Sequence, residues 1–499
     1  MSDNVKMITV ESTKRLKKEA DIAILYAVEH NLKDLVMFLI KAGANVNIND
    51  GQLLIKATQK GYTEIVKMLI EAKVDISVNN NEALENAISS KNYEITKILI
   101  DAGADIKNNG LYYFKTACSM NCPNIALLLI KKGCKITESL KNELIRKCSK
   151  EGYAQIVDIL ISIGADIHIK ENEPLRKAAK SGFTNIVEML IEEKADVTVR
   201  NNEPLRKAVK EGYSEIVQML INAGADVTDC ENEAIIFATK GGYHKIVEML
   251  IDAGADINVK DNIVIKTAVE LEQVQILKIL LKKQPDIVKK CVGLVKIAAQ
   301  KCNRTILQIL IDAGADVKEN NNEALVTAVN NGCIPILETL LKSGVDITEK
   351  DNRLLVYAVR KEDYDVCRIL IDAKADVTVN DNEPLITATL KRNKRIIELL
   401  IEAGADVCAE NNAAIRHAVE NQDVDIVELL IKSHADVTVN NHALLRTAVY
   451  KNNFKMVKML INAGVDVTAN NNEAIDIAIK KGNRKIISYL QNNIKNKCN

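Results

Sequence analysis

The sequence has no tryptophan and only five phenylalanines, and aromatic residues make up 3% of its 499 positions. Hydrophobic residues nevertheless reach 47%, a value typical of soluble folded chains. The core must therefore be built from aliphatic side chains. Lysine, asparagine and isoleucine are abundant, and we expect this bias to reflect an AT-rich genome more than a structural need.

An excess of one charge is also missing, because 67 basic residues balance 67 acidic residues. Domains that bind nucleic acids usually carry a basic excess that neutralises phosphates. We therefore expect no nucleic-acid partner.

Long apolar runs and a cysteine framework are absent from the sequence as well. The run from Ile125 to Ile130 is typical in length, whereas a membrane-spanning helix needs about 20 apolar residues. The N-terminus lacks the apolar stretch of a signal peptide. The eleven cysteines are odd in number and form no C-x-x-C pair, unlike a secreted disulfide scaffold. We expect a soluble intracellular protein with free cysteines and no membrane association.

What the sequence does contain is one repeat that fills most of the chain. A very small residue recurs every 30 residues, with a single step of 31, and it is Ala at fifteen positions and Cys at one. These positions, which number repeats 1 to 16, are Ala27, Ala57, Ala87, Ala117, Cys148, Ala178, Ala208, Ala238, Ala268, Ala298, Ala328, Ala358, Ala388, Ala418, Ala448 and Ala478. The pattern predicts an N-terminal cap over 1–20, a repeat array over 21–493 and a C-terminal tail over 494–499.

Repeat 7 shows how one unit is expected to fold. Leu205, Ala208 and Val209 fall on one stripe of a short helix. Asn202 is predicted to be its N-cap, and Gly212 to end it. A second helix follows, ends at a glycine and leads into an extended connector; its predicted buried side is Ile216, Val217, Leu220 and Ile221. Neither helix can bury its stripe alone, so neighbouring repeats must stack.

The repeat resembles the ankyrin repeat over nearly the whole chain. The family pattern T-P-L-H-x-A corresponds to E-P-L-R-K-A at 203–208 and again at 173–178, and the second-helix signature corresponds to E-I-V-Q-M-L-I-N-A-G-A-D-V at 215–227. The period is 30 residues instead of about 33, which predicts truncated hairpin fingers. The family's Thr and His are replaced by Glu and usually Arg, Lys, Ile or Val, so their mutual hydrogen bond is expected to be lost. The short period and Asn-rich loops look most like the ankyrin families of amoeba-infecting giant viruses, of mimivirus type.

The resemblance implies an all-α solenoid of about sixteen helix-turn-helix units. It also implies a non-enzymatic scaffold that binds a partner protein through its concave groove and loop edge. An alternative is a substrate adaptor for a host ubiquitin ligase, although no recruiting module is visible in the sequence. We expect a monomer in the host cytoplasm.

Residues that could carry catalysis or hold a cofactor are not apparent. No metalloprotease, nucleophile-elbow, phosphate-binding or dinucleotide-binding motif occurs, and the six histidines occupy unrelated repeat positions. We expect no enzyme, no cofactor and no metal. The aspartates that recur once per repeat, such as Asp196 and Asp226, are better explained as acceptors of loop N–H groups than as calcium ligands.

One constellation suggests a binding surface. Repeats 5 to 8 carry Lys at the second position after the small residue, and repeats 5 to 7 carry Arg two positions before it. These candidate partner-binding residues are Arg146, Lys150, Arg176, Lys180, Arg206, Lys210 and Lys240. The functional interpretation is a basic ladder for an acidic segment of a partner protein. The alternative is a solvated face copied by duplication and balanced by neighbouring glutamates such as Glu173 and Glu203.

Overall fold

The computed structural model describes residues 2–345, 347 and 353–498, and every regular element among them is a helix. The chain divides into two compact blocks, Met1–Asp256 and Ile257–Asn499. Within each block the helices alternate between an inner and an outer position along the stack, as the repeat predicts.

The first block contains eight helix pairs. They are α1 (Ser2–Glu29), α2 (Lys33–Lys41), α3 (Gln52–Gln59), α4 (Thr63–Glu71), α5 (Val78–Ser89), α6 (Tyr93–Asp101), α7 (Gly110–Ser119), α8 (Pro123–Lys131), α9 (Glu138–Glu151), α10 (Ala154–Ser162), α11 (Ile169–Ser181), α12 (Thr184–Glu192), α13 (Val199–Glu211), α14 (Ser214–Asn222), α15 (Asp229–Lys240) and α16 (His244–Asp252).

The described part of the second block contains eight more pairs and one additional short helix, α19. Its helices are α17 (Val259–Glu270), α18 (Val274–Lys283), α19 (Ile287–Lys290), α20 (Leu294–Gln300), α21 (Arg304–Asp312), α22 (Glu319–Asn331), α23 (Ile334–Lys342), α24 (Leu354–Arg360), α25 (Tyr364–Asp372), α26 (Val379–Leu390), α27 (Lys394–Glu402), α28 (Ala409–Glu420), α29 (Val424–Lys432), α30 (Val439–Tyr450), α31 (Phe454–Asn462), α32 (Ala469–Lys481) and α33 (Arg484–Cys498). The prediction of about sixteen helix-turn-helix units is confirmed.

The small residue of each repeat lies where inner helices approach one another. Ala208 and Cys148 are fully buried, and α13 packs against both α11 and α15. A larger side chain at this point would force the inner helices apart. The predicted stripes are also confirmed, because Leu205 and Val209 are fully buried on α13.

The second helix of repeat 7 follows the prediction in all but one position. Ile216, Val217 and Leu220 are 0–1% exposed, whereas Ile221 is only half-buried and borders the outer surface. Gly212 takes the left-handed conformation, with φ of 83°, and ends α13 as predicted. This helix-ending position is left-handed in all sixteen repeats, although only seven of them carry glycine there.

A left-handed turn of three residues replaces the hairpin finger in ten of the described repeats. Its segments are 49–51, 79–81, 170–172, 200–202, 230–232, 260–262, 380–382, 410–412, 440–442 and 470–472. The third residue is Asn in eight of the ten, and Gly51 and His442 in the other two. Because Asn tolerates the left-handed conformation better than most residues, these asparagines have a structural role. The expected link between abundant asparagine and an AT-rich genome stays a prediction, but in these loops asparagine also meets a structural need.

The asparagine at the third position of the turn also forms hydrogen bonds with a later loop. Asn202 is 3% exposed, and its Oδ1 accepts the backbone N–H of Asp226 at 2.8 Å, while its Nδ2 donates to Asp229 at 2.6 Å. The predicted N-cap role of Asn202 is therefore wrong, because its side chain bonds the loop 24 residues onward instead of its own helix.

The recurring aspartate stabilises the same loop. Asp196 Oδ1 accepts the N–H of Thr198 at 2.8 Å and its hydroxyl at 2.7 Å. These hydrogen bonds lower the pKa of Asp196, although desolvation opposes the shift. Asp436 accepts the same two bonds from Thr438. The predicted loop-stabilising role of the aspartates is confirmed.

Two cysteines depart from the expectation of free thiols. Cys302 and Cys333, from neighbouring repeats, form a disulfide with their Cα atoms 5.6 Å apart, while eight other described cysteines are free. Burial raises the pKa of the Cys148 thiol to about 12, so this free cysteine is a packing residue.

The ends of the predicted array do not coincide with helix ends. α1 runs through residue 20 and α33 runs through residue 493, so the proposed cap and tail boundaries stay predictions. Among the described residues, no helix has the length and apolarity that crossing a membrane requires.

Candidate functional site

The four predicted lysines occupy one position on successive inner helices. Lys150, Lys180, Lys210 and Lys240 lie near the C-terminal ends of α9, α11, α13 and α15, and all four are exposed. Each of these helices packs against the next, and packed helices lie about 8–10 Å apart. The structure therefore presents the lysines as one row along the stack.

The three predicted arginines have a different environment, because each forms an ion pair with the following repeat. Their side chains are only 28%, 8% and 24% exposed. The pairs are Arg146–Glu173 at 2.5 Å, Arg176–Glu203 at 2.9 Å and Arg206–Glu233 at 2.7 Å. These arginines connect neighbouring inner helices. Because their charges are paired within the fold, they are less available to a partner than the exposed lysines are.

Two of the three arginines, Arg176 and Arg206, also donate hydrogen bonds to backbone carbonyl groups of the left-handed turn. Arg176 Nε and Nη2 donate to the carbonyl oxygens of Glu171 and Lys170, both at 2.9 Å. Arg206 makes the equivalent pair of bonds at 2.9 and 3.3 Å. Arg176, which stands at the family's His position, thus makes two kinds of contact. It forms an ion pair with Glu203 of the next repeat, and it donates to two carbonyl groups of the left-handed turn.

The ion pairs change the charge that the inner face presents. The hydrogen bond from Arg146 lowers the pKa of Glu173 despite partial burial, so this carboxylate stays ionised and neutralises its arginine. Glu173 and Glu203, which the sequence offered as a balance for the ladder, are each paired with an arginine. The four lysines stay exposed on this face, and Glu151 and Glu211 are exposed beside Lys150 and Lys210.

Local partners of the lysines are weak or distant. Lys150 Nζ lies 3.5 Å from Glu151 on an exposed surface, a kind of pair that contributes about 0–1 kcal/mol. Lys210 Nζ lies 5.9 Å from the centre of the Phe237 ring, near the outer limit of a cation–π contact. No ion pair of Lys180 or Lys240 occurs within the described residues. The row can attract an anionic group.

Sequence reasoning missed the role of the glutamate partners. The signal was present as a constant separation of 27 residues, which also joins Lys296 to Glu323 and Arg446 to Glu473. Where this basic residue is replaced by Ile236, the position 27 residues onward is Ile263. Both members of the pair are therefore apolar there, whereas Arg416 has Ala443 at the position 27 residues onward.

The arrangement offers no evident catalytic chemistry. Within the ranges that the structure describes, no group of three or more His, Cys, Asp or Glu side chains is placed to hold a metal ion.

Comparison with known proteins gives the family of the chain. The family model described as ankyrin repeats (3 copies) matches residues 3–80, 24–110, 54–139, 144–231, 267–351, 294–381, 355–441 and 415–499. The model described as ankyrin repeat matches 231–262. No curated protein matches the chain, and the resemblance to giant-virus families stays a prediction. Since these matches cover most of the sequence and the helix pairs repeat as they require, the chain belongs to the ankyrin repeat family.

Proposed function

We propose that the chain is a protein-binding scaffold whose inner face in repeats 5 to 8 holds an acidic segment of a partner. The observation that carries this proposal is the lysine row, Lys150, Lys180, Lys210 and Lys240, exposed on four helices that pack in succession. Ankyrin repeats mediate protein interactions, and the neighbouring arginines are already paired within the fold.

The spacing of the row sets the size of the segment. Three steps between repeats, at about 10 Å each, span about 30 Å. An extended chain advances about 3.3 Å per residue, so a segment of nine or ten residues reaches all four lysines. Each exposed ion pair contributes about 0.2–1 kcal/mol, and affinity must come from the set.

Charge reversal of the whole row tests the proposal. The variant carries Lys→Glu at all four positions, and the probe is a fluorescent twelve-residue peptide with alternating Glu and Ser, measured by anisotropy at several salt concentrations. The control reverses four exposed lysines on or beside the outer helices, Lys33, Lys97, Lys131 and Lys194, which changes net charge equally. We expect the row variant to lose at least about tenfold in affinity, and the wild type to bind more weakly as salt rises.

Two outcomes would contradict the proposal. If the control variant loses as much affinity as the row variant, the peptide senses only net charge. If the row variant folds normally and still binds the peptide, the lysine row is merely a solvated face.

Two finer expectations accompany this function, and one alternative competes with it. We propose that the protein acts as a monomer in the host cytoplasm, which sedimentation velocity and imaging of a tagged chain test. The alternative of a ligase adaptor predicts co-purification of ubiquitin ligase subunits with the tagged chain.

A further inference from the structure

Three open surface cavities lie between the outer helices of repeats 6 to 8. One of about 250 Å³ lies between α12 and α14, and two of about 360 and 390 Å³ lie between α14 and α16. All three belong to the first block and involve helices other than those that carry the lysine row. They form a surface that the proposed function does not use.

Methionines form the walls that these cavities share. Met219 lines the first and second cavities, and Met249 lines the second and third. Both side chains are half-buried. Methionine is flexible and polarisable, and such residues are favoured on surfaces that adapt to apolar side chains of a partner. The cavities are thus joined by adaptable apolar walls.

The rims of the cavities are mainly acidic. Glu188 and Glu192 line the first cavity, Glu215 lines the second, and Glu248 and Asp252 line the third, where Lys245 is the basic residue of the lining. An apolar groove with an acidic rim complements a segment that carries both apolar and basic side chains.

We propose that this outer surface, formed by α12, α14 and α16, binds a basic amphipathic helix of a partner protein. Helices packed side by side lie about 10 Å apart, and seven residues of a helix advance about 10.5 Å. A helix laid across the outer helices therefore inserts apolar residues at positions i and i+7 into successive grooves. Lys or Arg residues flanking them contact the acidic rim.

The first repeats contain a matched groove of different charge. A cavity of about 420 Å³ between α2 and α4 has Met68 at the repeat position of Met249, but Lys41 and Lys67 line it together with Glu64 and Glu71. Lys67 pairs with Glu64 at 3.0 Å. This groove has similar apolar walls with balanced charge, so it should bind a basic helix poorly.

The experiment measures anisotropy of a fluorescent eighteen-residue peptide with Leu at positions 4, 8, 11 and 15 and Lys and Ala elsewhere, on the full chain. One variant, Glu192→Lys with Glu215→Lys, reverses the rim. Its control, Glu71→Lys with Glu64→Lys, makes the same changes at the equivalent repeat positions of the α2–α4 groove. All four glutamates are exposed, so the fold should tolerate both variants.

We expect the rim variant to weaken peptide binding about tenfold and the control to change it less than twofold. A second variant, Met219→Ala with Met249→Ala, should also weaken binding about tenfold without changing its salt dependence, because it removes apolar contact only. Equal losses in rim variant and control, or no binding by the wild type, would overturn the proposal.

A second copy of the chain is the competing occupant, because its lysine row could meet the acidic rim. Sedimentation velocity distinguishes this case. Self-association that disappears when the four lysines are reversed would overturn the assignment to a separate partner, whereas a concentration-independent monomer that binds the peptide supports it.

Discussion

The ion pair between neighbouring inner helices can be tested with Arg176→Ala. Arg176 is 8% exposed, and its Nη1 donates to Glu203 at 2.9 Å. Its other nitrogens donate to the carbonyl oxygens of Glu171 and Lys170. The substitution therefore removes a charge partner and two caps of the left-handed turn at once.

The expected loss follows from burial. Removing one partner of a buried ion pair costs about 3–5 kcal/mol, because the other charge stays uncompensated. The side chain of Glu203 is 22% exposed, and Arg200 Nη1 lies 4.0 Å away, so the remaining carboxylate keeps some stabilisation. We expect the free energy of unfolding to fall by about 3 kcal/mol, at the lower end of this range.

Arg416 supplies a control within the same chain. Its Nε and Nη2 donate to the carbonyl oxygens of Asn411 and Glu410 at 2.9 and 3.0 Å, but Ala443 stands where other repeats have the paired glutamate. Arg416→Ala removes only the turn caps, and these more exposed carbonyls regain water. We expect a loss of about 1–2 kcal/mol.

Hydrogen exchange with mass spectrometry of the full chain measures both effects locally, in α11 and in α28. Local measurement is needed because a repeat array does not unfold in one step. If the two variants increase exchange equally, the charge contact between repeats contributes nothing and the reasoning is wrong. A double replacement by isoleucine at Arg176 and Glu203, as in the natural Ile236 and Ile263, should recover part of the loss.

Three further changes test the loops. Asn202→Ala should destabilise by about 2–3 kcal/mol and expose the Asp226 amide to exchange, because it removes a buried acceptor and places alanine at positive φ. Gly182→Ala should destabilise by more than about 1 kcal/mol, since its Cβ would lie 2.7 Å from the Tyr213 ring, and Tyr213→Asn should rescue part of this in thermal melts. Since the folded pKa of Asp196 lies below its ordinary value, its stabilisation persists above about pH 4 and is lost as pH falls through the folded pKa, which NMR titration follows.

The repeat, the helix pairs and their buried stripes could be predicted because they depend on local spacing. In repeat 7, the apolar period places Leu205 and Val209 inside, and Gly212 marks the helix end. These features need only the geometry of one helix and the requirement that neighbours cover its stripe.

The left-handed turn and the contacts between repeats could not be predicted from one repeat. The identity of Asn202 predicts an N-cap, yet the backbone N–H that its side chain accepts belongs to a loop 24 residues onward. The close approach of Gly182 to Tyr213 likewise joins positions 31 residues apart. Such contacts are fixed by the stacking of one repeat on the next, which the local pattern does not contain.

The position of a basic residue on the inner helix determines whether its side chain is paired within the fold or exposed to solvent. Arg176 and Lys180 are four residues apart on α11, yet the arginine is paired and the lysine exposed. The lysine position is not needed for folding, because it is Leu390 in repeat 13 and Tyr450 in repeat 15. Repeat 8 has Ile236 and Phe237 in place of the preceding basic pair but keeps Lys240. The retention of Lys240 beside Ile236 and Phe237 is the feature of this row that a binding experiment with the four lysines reversed would test.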